Sequence, residues 1–191
     1  WDTTVKAMNS GIGARLGQFT SDWNIGMNKG AMATILAPAW MLDYIKKQAP
    51  DTKGKWDIAD LPVGGGNQGG TELGIPAYSK NKQAAYDFLT WYLAPEQQLK
   101  VFKTYGLFPS ASVLYDDAAL LEYKDEFFSN APVGAIYTKG VLKLKPIFEG
   151  ELQRKIDSTF GAGLGRVASK KMTSDKSYKL VISDIDKLFK N

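Results

Sequence analysis

The chain has 191 residues, 44% of them apolar, which suits one or two domains with a sizeable buried core. It contains no cysteine, which excludes disulfides and thiol chemistry, and no histidine, which removes the commonest general base and transition-metal ligand. Its 24 basic and 20 acidic residues leave a formal charge of +4, too small at this length to argue for nucleic acid or a membrane surface.

The first residue is Trp1, which reads as a processed or cut boundary, and no run of residues is apolar and long enough to span a bilayer. Residues 1–9 predict a short helix with Trp1, Val5 and Met8 on one face, ended by Ser10 to Gly13. Residues 23–30 read as a turn leading into a buried strand from Ala31 to Leu36, which Pro38 stops. Trp40, Met41, Tyr44 and Ile45 then recur at helical spacing through Gln48, with Lys46 and Lys47 at the end where the helix dipole favours cations.

Trp56, Ile58 and Leu61 suggest an extended segment ended by Pro62, followed by a loop, Gly64 to Gly70, with five glycines and then a strand from Thr71 to Ala77. Asn81 is placed to cap a helix carrying Ala85, Phe88, Leu89 and Tyr92, and Pro95 restarts helix as far as Gly106. One or two short helices are expected between residues 116 and 130. Pro146 should open a helix holding Phe148, Leu152, Ile156 and Phe160 and ending at Gly161 to Gly165, and Ser174 starts a last amphipathic helix with Val181 in its apolar stripe. The pattern reads as α/β, mostly helical with few strands.

Gly64, Gly66 and Gly69 match G-x-G-x-x-G, but that fingerprint must open onto a helix that receives a pyrophosphate, and the following Thr71 to Pro76 is strand-like. A loop that moves, or one whose bare backbone lets a ligand approach, fits better. Asp116 with Asp117, and Glu149 with Glu151, are too close in sequence to face each other across a sugar as a glycosidase pair does. The C-terminal lysines read as the solvated face of the last helix. No catalytic residue, metal ligand, cofactor or nucleic-acid partner is expected.

Five tryptophans are more than a core this size tends to use. An indole face either packs in the core or covers the C–H face of a sugar ring while neutral polar groups bond the hydroxyls. Trp56 and Trp91 read as packing residues. Trp40, at a junction into a helix, suits either role.

The segment MNKGAMATILAPAW (27–40) resembles the G-x-A-A-M…G-x-W signature of the maltodextrin-binding-like bacterial extracellular solute-binding proteins of ABC sugar transporters. Asp60 to Gly66, Gly69 to Lys82, Ala84 to Gln98 and Tyr105 to Pro109 resemble, in order, the segments that follow it in that family. The resemblance implies the C-terminal half only of a two-lobe protein. Residues 1–56 and 109–191 would belong to the C-terminal lobe, while 57–108 would cross to an N-terminal lobe whose remainder is absent. It also implies a mono- or oligosaccharide ligand delivered unaltered to an ABC permease, in the periplasm or on a cell-surface lipoprotein. Trp40 matches the stacking position, Gly69, Gly70 and Thr71 match the segment whose backbone nears sugar hydroxyls, and Trp23 and Phe148 are further aromatic candidates. An uncovered lobe surface would self-associate or bind a companion N-terminal chain. The readings from other classes are a carbohydrate-active hydrolase and a ligand-independent interaction module.

Overall fold

Helices supply the regular structure of the computed structural model, which describes residues 1–62, 64–67, 69–145 and 147–190. In chain order they are α1 (Asp2–Asn9), α2 (Ser21–Asn28), α3 (Met41–Gln48), α4 (Lys82–Tyr92), α5 (Pro95–Tyr105), α6 (Ala118–Leu121), α7 (Val133–Val141), α8 (Gln153–Ala168) and α9 (Ser174–Leu188), with single 3-10 turns at Pro50–Thr52, Ser112–Leu114 and Glu126–Phe128. The chain divides into two units, Trp1–Arg15 with Pro146–Asn191, and Leu16–Lys145.

The expected strands do not form. Among the described residues the β pairing is one isolated antiparallel bridge, Asp125 with Ala131. The segments at 31–37, 57–61 and 71–76 lie outside helices but have no ladder, because a strand exists only where a neighbouring backbone takes up its N–H and C=O groups. Leu36 and Leu73 accordingly remain exposed. Of residues 23–30, expected as a turn, 23–28 belong to α2 and only 29–30 turn: Thr20 Oγ1 accepts from Trp23 N at 3.3 Å, and Trp23 and Met27, four apart, fall on the buried face.

In the first unit α8 and α9 pack closely. A Cβ on Gly163 would overlap Val181 Cγ2 and stand 3.2 Å from the Trp1 indole, so this glycine serves close helix approach. It does not end α8, which runs on through Gly161, Gly163 and Gly165, contrary to the sequence expectation. Ser177 Oγ, fully buried, donates to Gly163 O at 2.8 Å across the same contact, and Trp1 Nε1 donates to Ser174 Oγ at 2.9 Å. The expected helix start at Pro146 lies outside the described residues; α8 itself begins at Gln153, and Ile147 and Phe148 are exposed ahead of it.

The second unit holds the larger core, in which Trp23, Met27, Met41, Leu42, Ile45, Phe102, Leu114, Leu120, Phe128 and Val133 are buried together. The α7 helix, which the sequence reading did not anticipate, reaches that core because Gly134 lacks a Cβ that would overlap Leu120 O. At the end of α5, Gly106 takes a left-handed φ of 72°, donates N–H to Phe102 O at 2.8 Å and leaves room for Ala39 O, so it is a glycine C-cap in close contact with the residue before Trp40. Trp56 packs against the core as expected, though outside any strand, with Nε1 donating to Thr52 Oγ1 at 2.7 Å. Trp91 does not pack: it is 56% exposed on α4, a helix with no buried residue.

Candidate functional site

Trp40 caps the N-terminus of α3, where Pro38 and Ala39 turn the chain and accept from Met41 N at 3.0 Å and Leu42 N at 3.1 Å. Its indole is partly buried, rests on the core and stacks on Phe19 with ring centroids 6.1 Å apart and an interplanar angle of 27°. Phe19 also meets Trp23 at 5.4 Å and Tyr44, edge-on, at 5.3 Å. Two pairs four residues apart, Phe19 with Trp23 and Trp40 with Tyr44, thus build one aromatic cluster from the turn before α2 and the start of α3. A chain of neutral polar groups runs behind it: Tyr44 Oη donates to Asn24 Oδ1 at 2.9 Å, and Asn24 Nδ2 donates to Gln48 Oε1 at 3.1 Å.

The glycine loop comes to this cluster. A Cβ on Gly69 would stand 3.9 Å from Trp40 Nε1, and Gly69 and Gly70 adopt φ of +90° and +144°, conformations that side chains disfavour. Gly70 and Thr71 follow directly and are exposed. The base of the loop is tied to α7 and the turn after it: the Asp60 carboxylate pairs with Lys139 on α7 at 3.0 Å and accepts from Lys143, just past the helix end, at 2.9 Å. Those two hydrogen bonds hold its carboxyl below the ordinary carboxylate range. Gly65 lies so close to Gly140 O that a Cβ would overlap it. Among the described residues the next helix after the loop starts at Lys82, so Gly64, Gly66 and Gly69 do not open onto a helix N-terminus.

The other sequence candidates are placed differently. Trp23 is 3% exposed, so its ring backs Phe19 and Tyr44 from within the core and offers no open face. Phe148 is 96% exposed and belongs to the first unit. The carboxylates set aside as a hydrolytic pair behave as surface groups: Asp117 caps α6 by accepting from Ala119 N at 2.7 Å, while Asp116, Glu149 and Glu151 are exposed. Among the described residues no group of three His, Cys, Asp or Glu side chains is placed to hold a metal, and no helix is long and apolar enough to cross a membrane.

A second-layer residue that sequence reasoning missed is Tyr137 on α7, whose Oη donates to Ala37 O at 3.2 Å, three residues before Trp40. Desolvation pushes its phenol up from 10.0 to about 12. Between those values the folded chain keeps a proton that the unfolded chain has lost, so stability must fall as pH rises through that window. Urea midpoints measured at pH 8, 10 and 11 should drop more steeply in the native protein than in Tyr137→Phe, which has no phenol at that position to titrate. Equal slopes would show that Tyr137 is not the group responsible.

The model of a bacterial extracellular solute-binding protein matches residues 3–128. The arabinooligosaccharide-binding protein of Bacillus subtilis (strain 168) is 28% identical over 132 residues, 64% of this chain and 30% of that protein. A crystal structure of an extracellular solute-binding protein family 1 member superposes with a TM-score of 0.86 at 35% identity, covering 98% of this chain and 48% of its own. The ABC transporter associated binding protein from B. animalis subsp. lactis Bl-04, solved with beta-1,6-galactobiose, shares the fold with a TM-score of 0.76 at 20% identity, covering 95% of this chain and 48% of its own. The chain thus spans about half the length of these solved relatives and less of the curated one.

Proposed function

Since the chain belongs to the bacterial extracellular solute-binding protein family, we propose that it forms part of a carbohydrate-binding protein that captures a mono- or oligosaccharide outside the cytoplasmic membrane for import by an ABC permease. The observation that carries this reading is the meeting of the Trp40 indole with the glycine backbone at Gly69. An aromatic plate covers the apolar C–H face of a pyranose, and a backbone without side chains lets hydroxyls reach N–H and C=O groups. Trp40, Gly69, Gly70 and Thr71 are the ligand-binding residues of this proposal, with Trp23 supporting the plate and Phe148 kept as a further aromatic candidate. One similar protein is named an arabinooligosaccharide-binding protein and another was solved in complex with beta-1,6-galactobiose, which supports a carbohydrate.

The protein performs no chemistry on its ligand in this reading. A hydrolase would need two opposed carboxylates, one of them a tuned acid. The test is a thermal-shift panel of mono- and oligosaccharides on the full-length gene product that carries this chain, followed by calorimetry of every hit and chromatography of the recovered sugar. Saturable binding with intact sugar is expected; a shortened sugar in the recovered sample would overturn the carrier and favour the hydrolase.

Residues 1–56 and 109–191 are assigned to one lobe of a two-lobe protein, with 57–108 crossing to the other, and anchorage as a surface lipoprotein or release into the periplasm is proposed with it. Two facts support the lobe assignment: the chain covers 48% of either solved relative, and α4 in the crossing segment has no fully buried residue. Phe88 and Trp91 are each 56% exposed, and Phe88 stacks on Tyr92 at 5.8 Å in a strip with nothing over it among the described residues. The companion N-terminal half is the occupant proposed for that strip. Without it the 191-residue chain should associate with itself as concentration rises in sedimentation velocity, and Trp91→Glu should suppress the association. A monomeric profile at every concentration would count against the uncovered lobe surface.

A further inference from the structure

The glycine loop reaches Trp40 with little rigidity of its own. Five glycines between Gly64 and Gly70 give its backbone many accessible conformations, so its position is set by whatever fastens it. Two fastenings lie at the C-terminal end of α7. Gly65 sits against Gly140 O, where a Cβ would overlap, and Asp60 Oδ2 takes both Lys139 Nζ at 3.0 Å and Lys143 Nζ at 2.9 Å.

Carbonyls point out of a helix C-terminus, so that end of α7 does not attract a carboxylate by itself. The attraction comes from the two lysines, which stand four residues apart and repel each other until Asp60 neutralises them. The cluster is open to water, its side chains 24% exposed at Asp60, 64% at Lys139 and 41% at Lys143, so dissolved salt reaches and weakens it. The same helix also holds the opposite wall, since Tyr137 Oη donates to Ala37 O three residues before Trp40. One element thus carries the approach to the indole by a part-buried neutral bond and the glycine backbone by an exposed ionic one.

Resting on the carbohydrate reading, we propose that Asp60 is a positioning residue: clamped by Lys139 and Lys143, it keeps the Gly69 backbone at Trp40 and so makes the affinity for an uncharged sugar depend on ionic strength. A loop in place for only a fraction of the time lowers the apparent affinity by that fraction. The sugar carries no charge for salt to screen, so a loss with salt arises in the protein. The pairs Lys46 with Asp125, Lys47 with Asp43 and Lys53 with Glu126, in the same unit, join other segments and leave the loop out.

The test is calorimetry on the full-length gene product with galactose, beta-1,6-galactobiose, arabinose and arabinotriose in about 0.01 M and about 1 M NaCl, across which the screening length shrinks from about 30 to about 3 Å. The native protein should bind its sugar about two- to threefold more weakly at high salt. Asp60→Asn, which keeps the shape and removes the charge, should bind about threefold more weakly than native at low salt and lose the salt dependence, while Asp60→Glu retains it. Lys139→Gln with Lys143→Gln should behave as Asp60→Asn does, and combining all three should cost no more than either. Circular dichroism checks that each variant is folded, and the lysine variant carries the test if Asp60→Asn is not. Native affinity at low salt in these variants would overturn the proposal, and so would a salt dependence equal to that of the native protein. Trp40→Ala separates the two levels: if it loses affinity and Asp60→Asn does not, the clamp fails while the carbohydrate site stands. If the native protein binds none of the four sugars, the carbohydrate reading falls and takes this inference with it.

Discussion

Trp40→Ala should weaken saccharide binding at least about tenfold in the full-length gene product, a loss of about 1.4 kcal/mol or more. Truncation removes the whole stacking face, and such aromatic contacts contribute about 0.5–1.5 kcal/mol beyond the area they bury. In the proposed site the indole edge also lies over the Gly69 backbone, since a Cβ on Gly69 would stand 3.9 Å from Trp40 Nε1, so truncation opens that backbone to water. Trp40→Phe keeps a smaller plate and should fall between the native protein and the alanine variant. Because Trp40 packs partly on the core, its truncation will also lower stability, so affinity is to be measured well below the melting temperature. Calorimetric affinity unchanged within twofold, in a protein whose circular dichroism is native, would remove Trp40 from the site.

The side chains around Trp40 differ in how visible they are before the fold is known. The i to i+4 pairs Phe19 with Trp23 and Trp40 with Tyr44 stand in the sequence, and α3 with its terminal lysines is legible from spacing alone. The contact between Gly69 and Trp40 is not, because it joins residues from separate segments, in a loop whose base is held where Asp60 pairs with Lys139 on α7 and with Lys143 just past it. The left-handed backbone of Phe19 is equally invisible, since nothing in Gly17-Gln18-Phe19-Thr20 requires a positive φ.

Elsewhere the misreadings share a cause. Periodicity reports which residues seek burial but not what they will be buried against. The Ala31 to Leu36 and Thr71 to Ala77 segments have strand-like composition and remain unpaired, for want of a neighbouring strand among the described residues. Trp91 sits in a good apolar helical pattern and remains exposed for the same reason. The α7 helix, VGAIYTKGV, was hidden by two glycines and β-branched residues that lower helix propensity; tertiary contact of Gly134 with the α6 backbone overrides it. In α8 the glycines look like a terminator in sequence, yet Gly163 makes room for Val181 of α9.

The largest loss of stability is expected from Phe102→Ala. Phe102 is fully buried, meets Phe108 edge-on at 5.6 Å and Tyr123 at 5.2 Å, and is the one buried residue of α5. Removing a buried phenyl costs its transfer free energy and leaves a cavity that rigid neighbours only partly fill, together about 3–5 kcal/mol. Against a typical domain stability of about 5–15 kcal/mol, that is a large fraction. The consequence should extend to the ligand site, because Phe102 O receives the Gly106 cap and Gly106 packs against Ala39 O, next to Trp40. Urea unfolding should show a lower midpoint with an unchanged slope for the second unit, and Trp40→Phe in the same background should account for any added tryptophan quenching by acrylamide. Phe102→Leu, which fills most of the space, should cost well under half as much. A Phe102→Ala midpoint corresponding to less than about 1 kcal/mol would mean that α5 closes over the gap, and that its C-cap is not what seats Trp40.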